Sequence, residues 1–376
     1  MNKQVIAMVL VGGRGTRLGS ITKTTAKPAV SFGGKYKLID FVLSNLSNSN
    51  IDTAGIITQY EPHELMSYIG HGSTWDLDAQ DGGITFLTPY TSSEGDLWQK
   101  GTAHAIVQHF RFIDQYDPDY VLVLSGDHIY KMDYTLMIQD HIANQADITI
   151  GAFHVTKDLN RFGIIDASPD GFVRSFEEKP DHPKGSLASM GIYVFNREVL
   201  RDLLSDSPET MYDFGHDIIP HALERNKQIY VHRFKGYFRD VGTLQSLYDA
   251  NMELIDNPSL LKLHEYVELP VYTKSSNLPP HHIAKRCIVQ DSLISDGCLI
   301  LGDIYHSVLS NNIVVSDGCL IRDSILYHHV EVGEGCSLRN VVVVEGTTIP
   351  AYTRLEFDAV TVIDSDNLAE RGESYE

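Results

Sequence analysis

The sequence predicts an α/β chain in which a domain with a mostly parallel sheet is followed by a parallel β-helix. Two observations carry this prediction. Short apolar runs alternate with amphipathic ones over residues 1–256, and the hexapeptide SDGCLI occurs twice in the last quarter of the chain. Alternation of strands and helices is typical of a parallel sheet with helices on both faces, and a six-residue repeat is typical of a β-helix.

The predicted strands of the first domain are short, rich in β-branched residues and followed by glycine or polar residues. In a parallel sheet, ligands bind beyond the carboxyl ends of the strands, so the segments after Val11 and Ser125 are the first candidates for a site. The predicted strands are Val5–Val11, Gly55–Thr58, Tyr120–Ser125 and Ile148–Val155, and the predicted helices are Asp40–Ser49, Glu61–Ile69, Thr102–Ile113 and Tyr134–Asn144.

Residues 257–282 interrupt this alternation. They contain Pro258, Pro270, Pro279 and Pro280 and show no sustained period, which is typical of a connector. We therefore expect a first domain at 1–256, a linker at 257–282 and a second domain at 283–376.

The second domain repeats aliphatic residues every six positions around the two SDGCLI copies, at 295–300 and 316–321. In a β-helix such residues fill the interior while glycine and small residues form the corners. The alternative, a β-sandwich, would show a period of two and hairpin signals. The flank and ends of a β-helix usually serve oligomerisation or effector binding.

The composition disfavours several classes of function. Lys and Arg number 30 against 50 Asp and Glu, a net charge of −20, which disfavours nucleic acid and anionic membranes as partners. No apolar run reaches the ~18 residues of a membrane span, and the apolar stretch near Met1 is too short for a secretory signal. We expect a cytoplasmic protein whose cysteines are reduced and buried; Cys287, Cys298, Cys319 and Cys336 lack the spacing of a zinc site.

A glycine-rich loop, Gly12 to Leu18, follows the first predicted strand directly. It matches neither of the two standard phosphate-loop patterns. Glycines nevertheless let backbone N–H groups approach phosphate, and arginines supply forked donors. Seven basic residues and no acidic one occur between Met1 and Ile39. This asymmetry favours a polyphosphate site over the alternative, a tight turn with arginines in solvent.

Three further residues suit such a ligand. Asp127 follows a buried strand, where a carboxylate beside phosphates is most simply a Mg²⁺ ligand. Asp240 is a second candidate ligand, or alternatively the N-terminal turn residue of the helix that follows. Lys179 ends a strand-like run and is either a phosphate ligand or a member of a surface ion pair.

Seven motifs follow one another along nearly the whole chain. They are GGRGTRL at 12–18, AKPAVSFGGKYKLIDFVLSN at 26–45, SGDHIYKMDY at 125–134, RFGI at 161–164, FEEKP at 176–180, ASMGIYVF at 188–195 and FRDVGT at 238–243. In this order they resemble the motifs of the bacterial ADP-glucose pyrophosphorylases (glucose-1-phosphate adenylyltransferases), a branch of the sugar nucleotidyltransferases. The first motif is shared by sugar nucleotidyltransferases broadly, whereas the second is more specific to this branch.

The resemblance implies a Rossmann-like nucleotidyltransferase domain and a left-handed β-helix. It implies Mg²⁺-dependent synthesis of ADP-glucose and pyrophosphate from ATP and glucose 1-phosphate, in support of glycogen synthesis. It also implies a homotetramer and leaves open whether a related second subunit joins the complex.

The same resemblance assigns roles to individual residues. The predicted catalytic residues are Arg17, Lys27 and Asp127, and the predicted metal ligands are Asp127 and Asp240. The predicted nucleotide-binding residues are Gly12, Gly13, Arg14, Gly15, Thr16, Arg17, Gly101 and Thr102; those for glucose 1-phosphate are Gln99, Gly163, Glu178, Lys179 and Ser189; and Lys35 is a candidate effector contact.

Two positions depart from the family pattern. Gln99 stands where relatives commonly carry an aromatic residue, and His104 replaces a frequent acid; His104 is expected to be an ordinary helix residue. Two other functions stay open: a glucose-1-phosphate transferase that uses dTTP or UTP, and a non-catalytic regulatory subunit. The retention of Arg14, Arg17, Asp127, Lys179 and Asp240 argues against the second.

Overall fold

The computed structural model describes residues 3–13, 15–23, 25–59, 62–89, 91–92, 95–96, 101–206, 211–263 and 269–372. The chain forms two compact units. The first comprises Met1–Gly13, Phe41–Gly126 and Tyr130–Phe238, and the second comprises Arg14–Asp40, Asp127–Ile129 and Arg239–Glu376. The second unit therefore combines the C-terminal residues with two segments from the N-terminal part of the chain.

The helices are numbered in chain order. They are α1 (Leu38–Asn48), α2 (Pro62–Ile69), α3 (Thr102–Gln108), α4 (Phe110–Tyr116), α5 (Tyr134–Ala143), α6 (Arg197–Ser205), α7 (Ile219–Glu224), α8 (Leu244–Asp256) and α9 (Ser365–Gly372). Within the described ranges, none of them is long and apolar enough to cross a bilayer.

The strands up to Asp240 alternate with these helices. They are β1 (Val5–Leu10), β2 (Ser31–Phe32), β3 (Tyr36–Lys37), β4 (Thr53–Ile57), β5 (Gly83–Leu87), β6 (Thr91–Ser92), β7 (Gly95–Asp96), β8 (Tyr120–Ser125), β9 (His128–Tyr130), β10 (Ile148–His154), β11 (Gly163–Ala167), β12 (Val173–Glu178), β13 (Leu187–Asn196), β14 (Ile229–Arg233) and β15 (Phe238–Asp240).

The first unit is built on one mixed sheet. Its order is β12-β11-β13-β8-β1-β4-β5, and β10 pairs with both β13 and β14. The pairs β8–β1, β1–β4 and β4–β5 are parallel, whereas β13 runs antiparallel to β8 and β10. The predicted parallel character thus holds around β1 and β8, the strands that precede the glycine loop and Asp127.

Buried aliphatic side chains of β1, β8 and β10 form the core of this unit. Ile6, Met8, Val121, Val123 and Ile148 are fully buried. Burying such a side chain contributes about 1.5–3 kcal/mol. The sheet is therefore a firm platform for the loops at its carboxyl edge.

One helix prediction is wrong in detail. The helix expected over Thr102–Ile113 is interrupted at His109, which has φ −108° and ψ 17° and separates α3 from α4. The His109 N–H bonds to the carbonyl of Ile106, and its own carbonyl accepts from Phe112 N–H, so the chain turns without losing its hydrogen bonds. The apolar pattern runs on through the break, and neither Gly nor Pro marks it.

The C-terminal part of the second unit is a parallel β-helix made of short strands. They are β16 (His282–Ile283), β17 (Val289–Gln290), β18 (Leu293–Ile294), β19 (Leu299–Ile300), β20 (Asp303–Tyr305), β21 (Val308–Leu309), β22 (Val314–Val315), β23 (Leu320–Arg322), β24 (Ile325–Leu326), β25 (Glu331–Val332), β26 (Ser337–Val343), β27 (Thr348–Ile349) and β28 (Arg354–Ile363).

These strands stack in three parallel columns. One column is β16-β19-β22-β25-β27; the other two, through β20 and β23 and through β21 and β24, are joined by the long strand β26. The two SDGCLI copies fall in different columns, since Ile300 pairs with Val315 while Ile321 pairs with Ile304 and Leu338. The aliphatic side chains of the six-residue repeat fill the interior as predicted.

The cysteines and serines of the β-helix are structural. Cys298, Cys319 and Cys336 are buried, whereas Cys287 is only partly buried, and all four are free thiols. Each buried thiol follows a glycine with positive φ, a conformation that a β-carbon disfavours. Ser307 and Ser324 extend a ladder between coils, because each hydroxyl accepts a backbone N–H from the next coil.

Candidate active site

The glycine loop begins directly after β1. A β-carbon on Gly13 would meet nothing within 4 Å, so packing alone does not require glycine there. Gly15 has φ +62° and starts the turn Thr16–Thr22, which holds Arg17 at the surface. Arg14 lies outside the described residues. A glycine that packing does not require suits the close approach of an anionic ligand to the backbone.

The second unit brings Lys27, Asp127 and Asp240 together, and we call them the charged cluster. Lys27 Nζ lies 2.6 Å from Asp127 Oδ2 and 3.6 Å from Asp240 Oδ1. The side chain of Lys27 keeps only 8% of its accessible surface, whereas those of Asp127 and Asp240 keep 23% and 17%. A buried ammonium between two partly exposed carboxylates is a charge-assisted arrangement, and Asp127 Oδ1 also lies 3.6 Å from His128 Nε2.

Local structure explains how each member is placed. Lys27 begins a short 3₁₀ turn with Pro28, whose fixed φ suits the first turn. Asp127 follows β8 by two residues, and Asp240 ends β15, which pairs with β9. The alternative role for Asp240 as the turn residue of the next helix is wrong, because Thr243 caps α8 through a reciprocal bond pair with Ser246.

The charged cluster has the donors that Mg²⁺ requires. This ion is usually held by one or two carboxylates, with phosphate and water oxygens completing its octahedron. Asp127 and Asp240, both in contact with Lys27, supply two such carboxylates. The site is thus suited to a metal that arrives with a polyphosphate.

Not all the basic residues before Ile39 contribute to the loop. Lys3 precedes β1 and pairs with Asp52 at 2.6 Å, and Lys23 pairs with Asp366 at 2.7 Å. The expectation that the seven cations gather around one ligand is therefore wrong for these two. Charge along the chain does not report which way a side chain points.

In the first unit, Glu178 lies between two glycines, and we call Gly163, Glu178 and Gly215 the glycine-walled pocket. Gly163 pairs with Glu178 across β11 and β12. A β-carbon would lie 2.7 Å from Glu178 Oε2 if added at Gly163 and 2.4 Å from it if added at Gly215. Glycine at both positions leaves room for the carboxylate, which is suited to accept hydrogen bonds from hydroxyl groups.

Lys179 is in the ion pair that the alternative interpretation predicted. Its Nζ lies 2.8 Å from Glu178 Oε1, but 63% of its side chain is exposed. The Lys179 backbone has φ +45°, which is uncommon for a residue with a β-carbon and often marks a functional site. An exposed lysine held beside the glutamate is able to turn toward a phosphate.

Ser189 lies on β13 and is 7% exposed. Its Oγ accepts a hydrogen bond from Gly191 N–H at 3.1 Å. Burial raises the pKa of the neighbouring Tyr193 well above its usual value; a hydrogen bond with Ser189 opposes the shift, and the charge of Glu178 adds to it. Tyr193 thus stays protonated next to Glu178.

Gly101 and Thr102 begin α3 against a segment that the sequence did not single out. Thr102 Oγ1 donates to Asp213 Oδ2 at 3.0 Å, and a β-carbon on Gly101 would lie 2.3 Å from the carbonyl oxygen of Tyr212. Asp213 also accepts from Gly215 N–H at 2.9 Å, next to Glu178. The sequence pattern Asp-x-Gly before a predicted helix, which is typical of a helix N-cap, could have singled out Asp213.

Three positions discussed in the sequence analysis remain, namely Gln99, Lys35 and His104. Gln99 lies outside the described residues. Lys35 is exposed. His104 contacts the Tyr212 ring edge-on, with centroids 5.9 Å apart.

Comparison with known proteins agrees with this description. The nucleotidyl transferase family model matches residues 6–257, and a GlmU-like C-terminal hexapeptide model matches residues 278–367. The class is therefore that of the nucleotidyl transferases, and the fold prediction of a mostly parallel sheet followed by a left-handed β-helix is confirmed.

Similar proteins identify one family within the nucleotidyl transferase class. The chain is 52% identical over 319 residues to the glucose-1-phosphate adenylyltransferase of Bacillus subtilis (strain 168), with 84% of each chain covered. It is 47% identical over 348 residues to that of Bacillus cytotoxicus, with 92% of each covered, and 46% identical to that of Bacillus thuringiensis (strain Al Hakam), with 91% and 92% covered. The chain belongs to the glucose-1-phosphate adenylyltransferase family.

Proposed function

We propose that this chain catalyses the reaction of ATP with glucose 1-phosphate to give ADP-glucose and pyrophosphate. The observation that carries the proposal is the charged cluster, in which one buried lysine spans two partly exposed carboxylates. The family membership supports the substrate pair. The observed fold and the retained side chains support catalysis over a purely regulatory role.

In the proposed step, a phosphate oxygen of glucose 1-phosphate attacks the α-phosphorus of ATP. The new O–P bond forms as the bond to the bridging oxygen of the β-phosphate breaks, and that oxygen leaves with pyrophosphate. The attacking phosphate is already ionised at neutral pH, so no general base is needed. The protein must supply alignment and charge neutralisation.

The main obstacle is repulsion between two anionic substrates. Two like charges about 4 Å apart repel by about 4 kcal/mol at an effective dielectric of 20. Lys27 is fixed by the two aspartates, and Arg17 is exposed at the glycine loop, so both cations suit this neutralisation. Mg²⁺ bound by Asp127 and Asp240 would supply further neutralisation of the phosphates.

The glycine-walled pocket is the proposed site for the sugar phosphate. Glu178 would accept hydrogen bonds from sugar hydroxyls, and Lys179 would contact the phosphate as a point charge. Ser189 and Gly163 would line the same pocket. Gly12, Gly13, Gly15 and Thr16 would serve the triphosphate through backbone N–H groups.

The remaining predictions belong to this proposal and rest on the family resemblance. They are a cytoplasmic location, a homotetramer, an effector contact at Lys35, a catalytic domain at 1–256 and a β-helix domain at 283–376 that serves oligomerisation or regulation.

A pyrophosphate-release assay tests the proposal. The purified chain is incubated with glucose 1-phosphate, Mg²⁺ and each of ATP, GTP, CTP and UTP, with dTTP in a parallel reaction. We expect ATP to give the highest kcat/KM. Preference for UTP or dTTP would assign the chain to a different nucleotide, and inactivity with every nucleotide, reversed by adding a homologue, would identify a regulatory subunit.

A further inference from the structure

The second compact unit contains both the charged cluster and the β-helix. The hairpin formed by β2 and β3, residues 31–37, connects them, and we call it the docking hairpin. It begins four residues after Lys27, and the residues between, Pro28 to Val30, are buried. Val30 N–H bonds to the Lys27 carbonyl at 3.1 Å, and Leu38 N–H bonds to the Val30 carbonyl at 3.1 Å.

The docking hairpin is held from two sides. Gly33 N–H donates to Asn251 Oδ1 of α8 at 2.8 Å, and Asn251 is fully buried. A β-carbon on Gly34 would lie 2.7 Å from Ser295 Oγ and 3.1 Å from the Leu309 carbonyl oxygen, both on the β-helix. The hairpin thus packs tightly against α8 and the β-helix.

One side-chain bond ties the start of this hairpin to the β-helix. Ser31 Oγ lies 2.8 Å from His328 Nε2, and Ser31 is 6% exposed. Asn311 N–H donates to His328 Nδ1 at 3.1 Å, so Nδ1 carries no proton. His328 is therefore held in the Nε2–H tautomer and donates that proton to Ser31.

We propose that His328 is a positioning residue for the reaction, acting through Ser31 to fix the turn that holds Lys27 between Asp127 and Asp240. This inference rests on the proposed role of Lys27. A small displacement of a group that neutralises charge costs much rate, because the stabilisation depends on placement before the reaction begins. The β-helix would thereby help to position Lys27.

Two substitutions of His328 distinguish its bond to Ser31 from its bond to the Asn311 N–H. Gln places an amide N–H near the position of Nε2 and keeps the bond to Ser31, whereas Asn retains an acceptor for Asn311 N–H but is too short to reach Ser31. Ser31→Ala removes the same bond from the other side. His329→Asn is the matched control, because His329 bonds to Asn312 within the β-helix and asparagine tolerates its positive φ of 59°.

The first measurement does not depend on the enzymatic activity of the chain. Each folded variant is treated briefly with an amine-acetylating reagent, and the labelling of Lys27 relative to Lys184, an exposed lysine of the first unit, is read by mass spectrometry. We expect Lys27 labelling to rise about tenfold in His328→Asn and Ser31→Ala, and to stay within about twofold of wild type in His328→Gln and His329→Asn.

The second measurement is steady-state kinetics below the unfolding transition. We expect kcat to fall about tenfold in His328→Asn and Ser31→Ala, with KM for glucose 1-phosphate within about twofold, and the double variant to be no slower than either single one. Unchanged Lys27 labelling, or an equal loss of kcat in His328→Gln, would overturn the positioning role. Failure of the proposed function is distinguishable, because a wild-type chain inactive with ATP would still show the labelling pattern.

Discussion

The charged cluster and the glycine-walled pocket hold their carboxylates in different ways. In the cluster, a buried lysine holds two carboxylates by charge, with Nζ–O distances of 2.6 and 3.6 Å. In the pocket, Glu178 is accommodated because its neighbours Gly163 and Gly215 have no side chains. The first arrangement is electrostatic and the second is steric. Substitutions in the cluster should therefore lower kcat, and substitutions in the pocket should raise KM for the sugar phosphate.

The largest effect is expected for Asp127→Asn. The amide keeps the shape but removes one of two carboxylates from the proposed metal site, so kcat should fall on the order of 10³-fold. Pyrophosphate release at saturating Mg²⁺ measures it. Asp366→Asn, which breaks the exposed pair with Lys23, is the control and should change kcat by less than twofold, within the small range of surface pairs. Wild-type turnover in Asp127→Asn would remove this residue from the mechanism.

The next largest effect is expected for Gly215→Ala. The new β-carbon would lie 2.4 Å from Glu178 Oε2. Because that distance is too short, the flexible Glu178 side chain must move. We expect kcat/KM for glucose 1-phosphate to fall roughly 10²-fold while KM for ATP is retained. At Gly185 a β-carbon would meet nothing closer than 3.6 Å, so Gly185→Ala is the matched control. Equal losses in both variants would contradict the steric account.

A smaller effect is expected for Lys179→Ala. The exposed ammonium is paired with Glu178 and would contact the sugar phosphate, so KM for glucose 1-phosphate should rise about tenfold with little change in kcat. Initial rates across glucose 1-phosphate concentrations measure the change. Lys184→Ala, at another exposed lysine of this unit, is the control. A KM equal to that of wild type would leave Lys179 as a surface ion pair only.

The smallest effect concerns stability and lies outside both sites. His306 bonds to Asp323 at 2.7 Å and to Asp256 at 3.2 Å. Burial lowers its pKa, but the hydrogen bond with Asp323 and the charge of Asp256 outweigh burial, and the net pKa is raised above 6.5. The protonated form therefore stabilises the fold below the unfolded-state pKa, and this contribution is lost as the pH rises through the folded-state pKa.

Thermal unfolding across pH tests this contribution. The difference in Tm between wild type and His306→Gln should be largest below about pH 6 and should shrink as the pH rises, with a free-energy difference below about 1 kcal/mol. His329→Gln serves as the control. A difference in Tm that grew with rising pH would contradict the assignment.

Much of the architecture is predictable from the sequence, because its apolar patterns have a direct structural meaning. The six-residue aliphatic period has a direct structural meaning, because each apolar residue of the repeat points into the β-helix. The strand before Asp127 was correct to the residue, since Tyr120–Ser125 is apolar and bounded by polar residues. The break at His109 had no such signal, because it is made by backbone rotation within a continuous apolar pattern.

The site was only partly predictable. Asp127 and Asp240 stand out by their position after strands, but their shared contact with Lys27 joins segments that are 100 and 213 residues from it along the chain. Lys3 appeared to belong to the cationic loop and instead pairs with Asp52. Side-chain direction and long-range partners depend on the assembled fold, and one sequence does not report them.

The most direct test of the charged cluster is a crystal structure of the chain with Mg²⁺, a non-reactive ATP analogue and glucose 1-phosphate. We expect a magnesium ion about 2.1 Å from carboxylate oxygens of Asp127 and Asp240, with the triphosphate on the same ion. Magnesium and triphosphate bound elsewhere, with both aspartates still paired to Lys27, would contradict it.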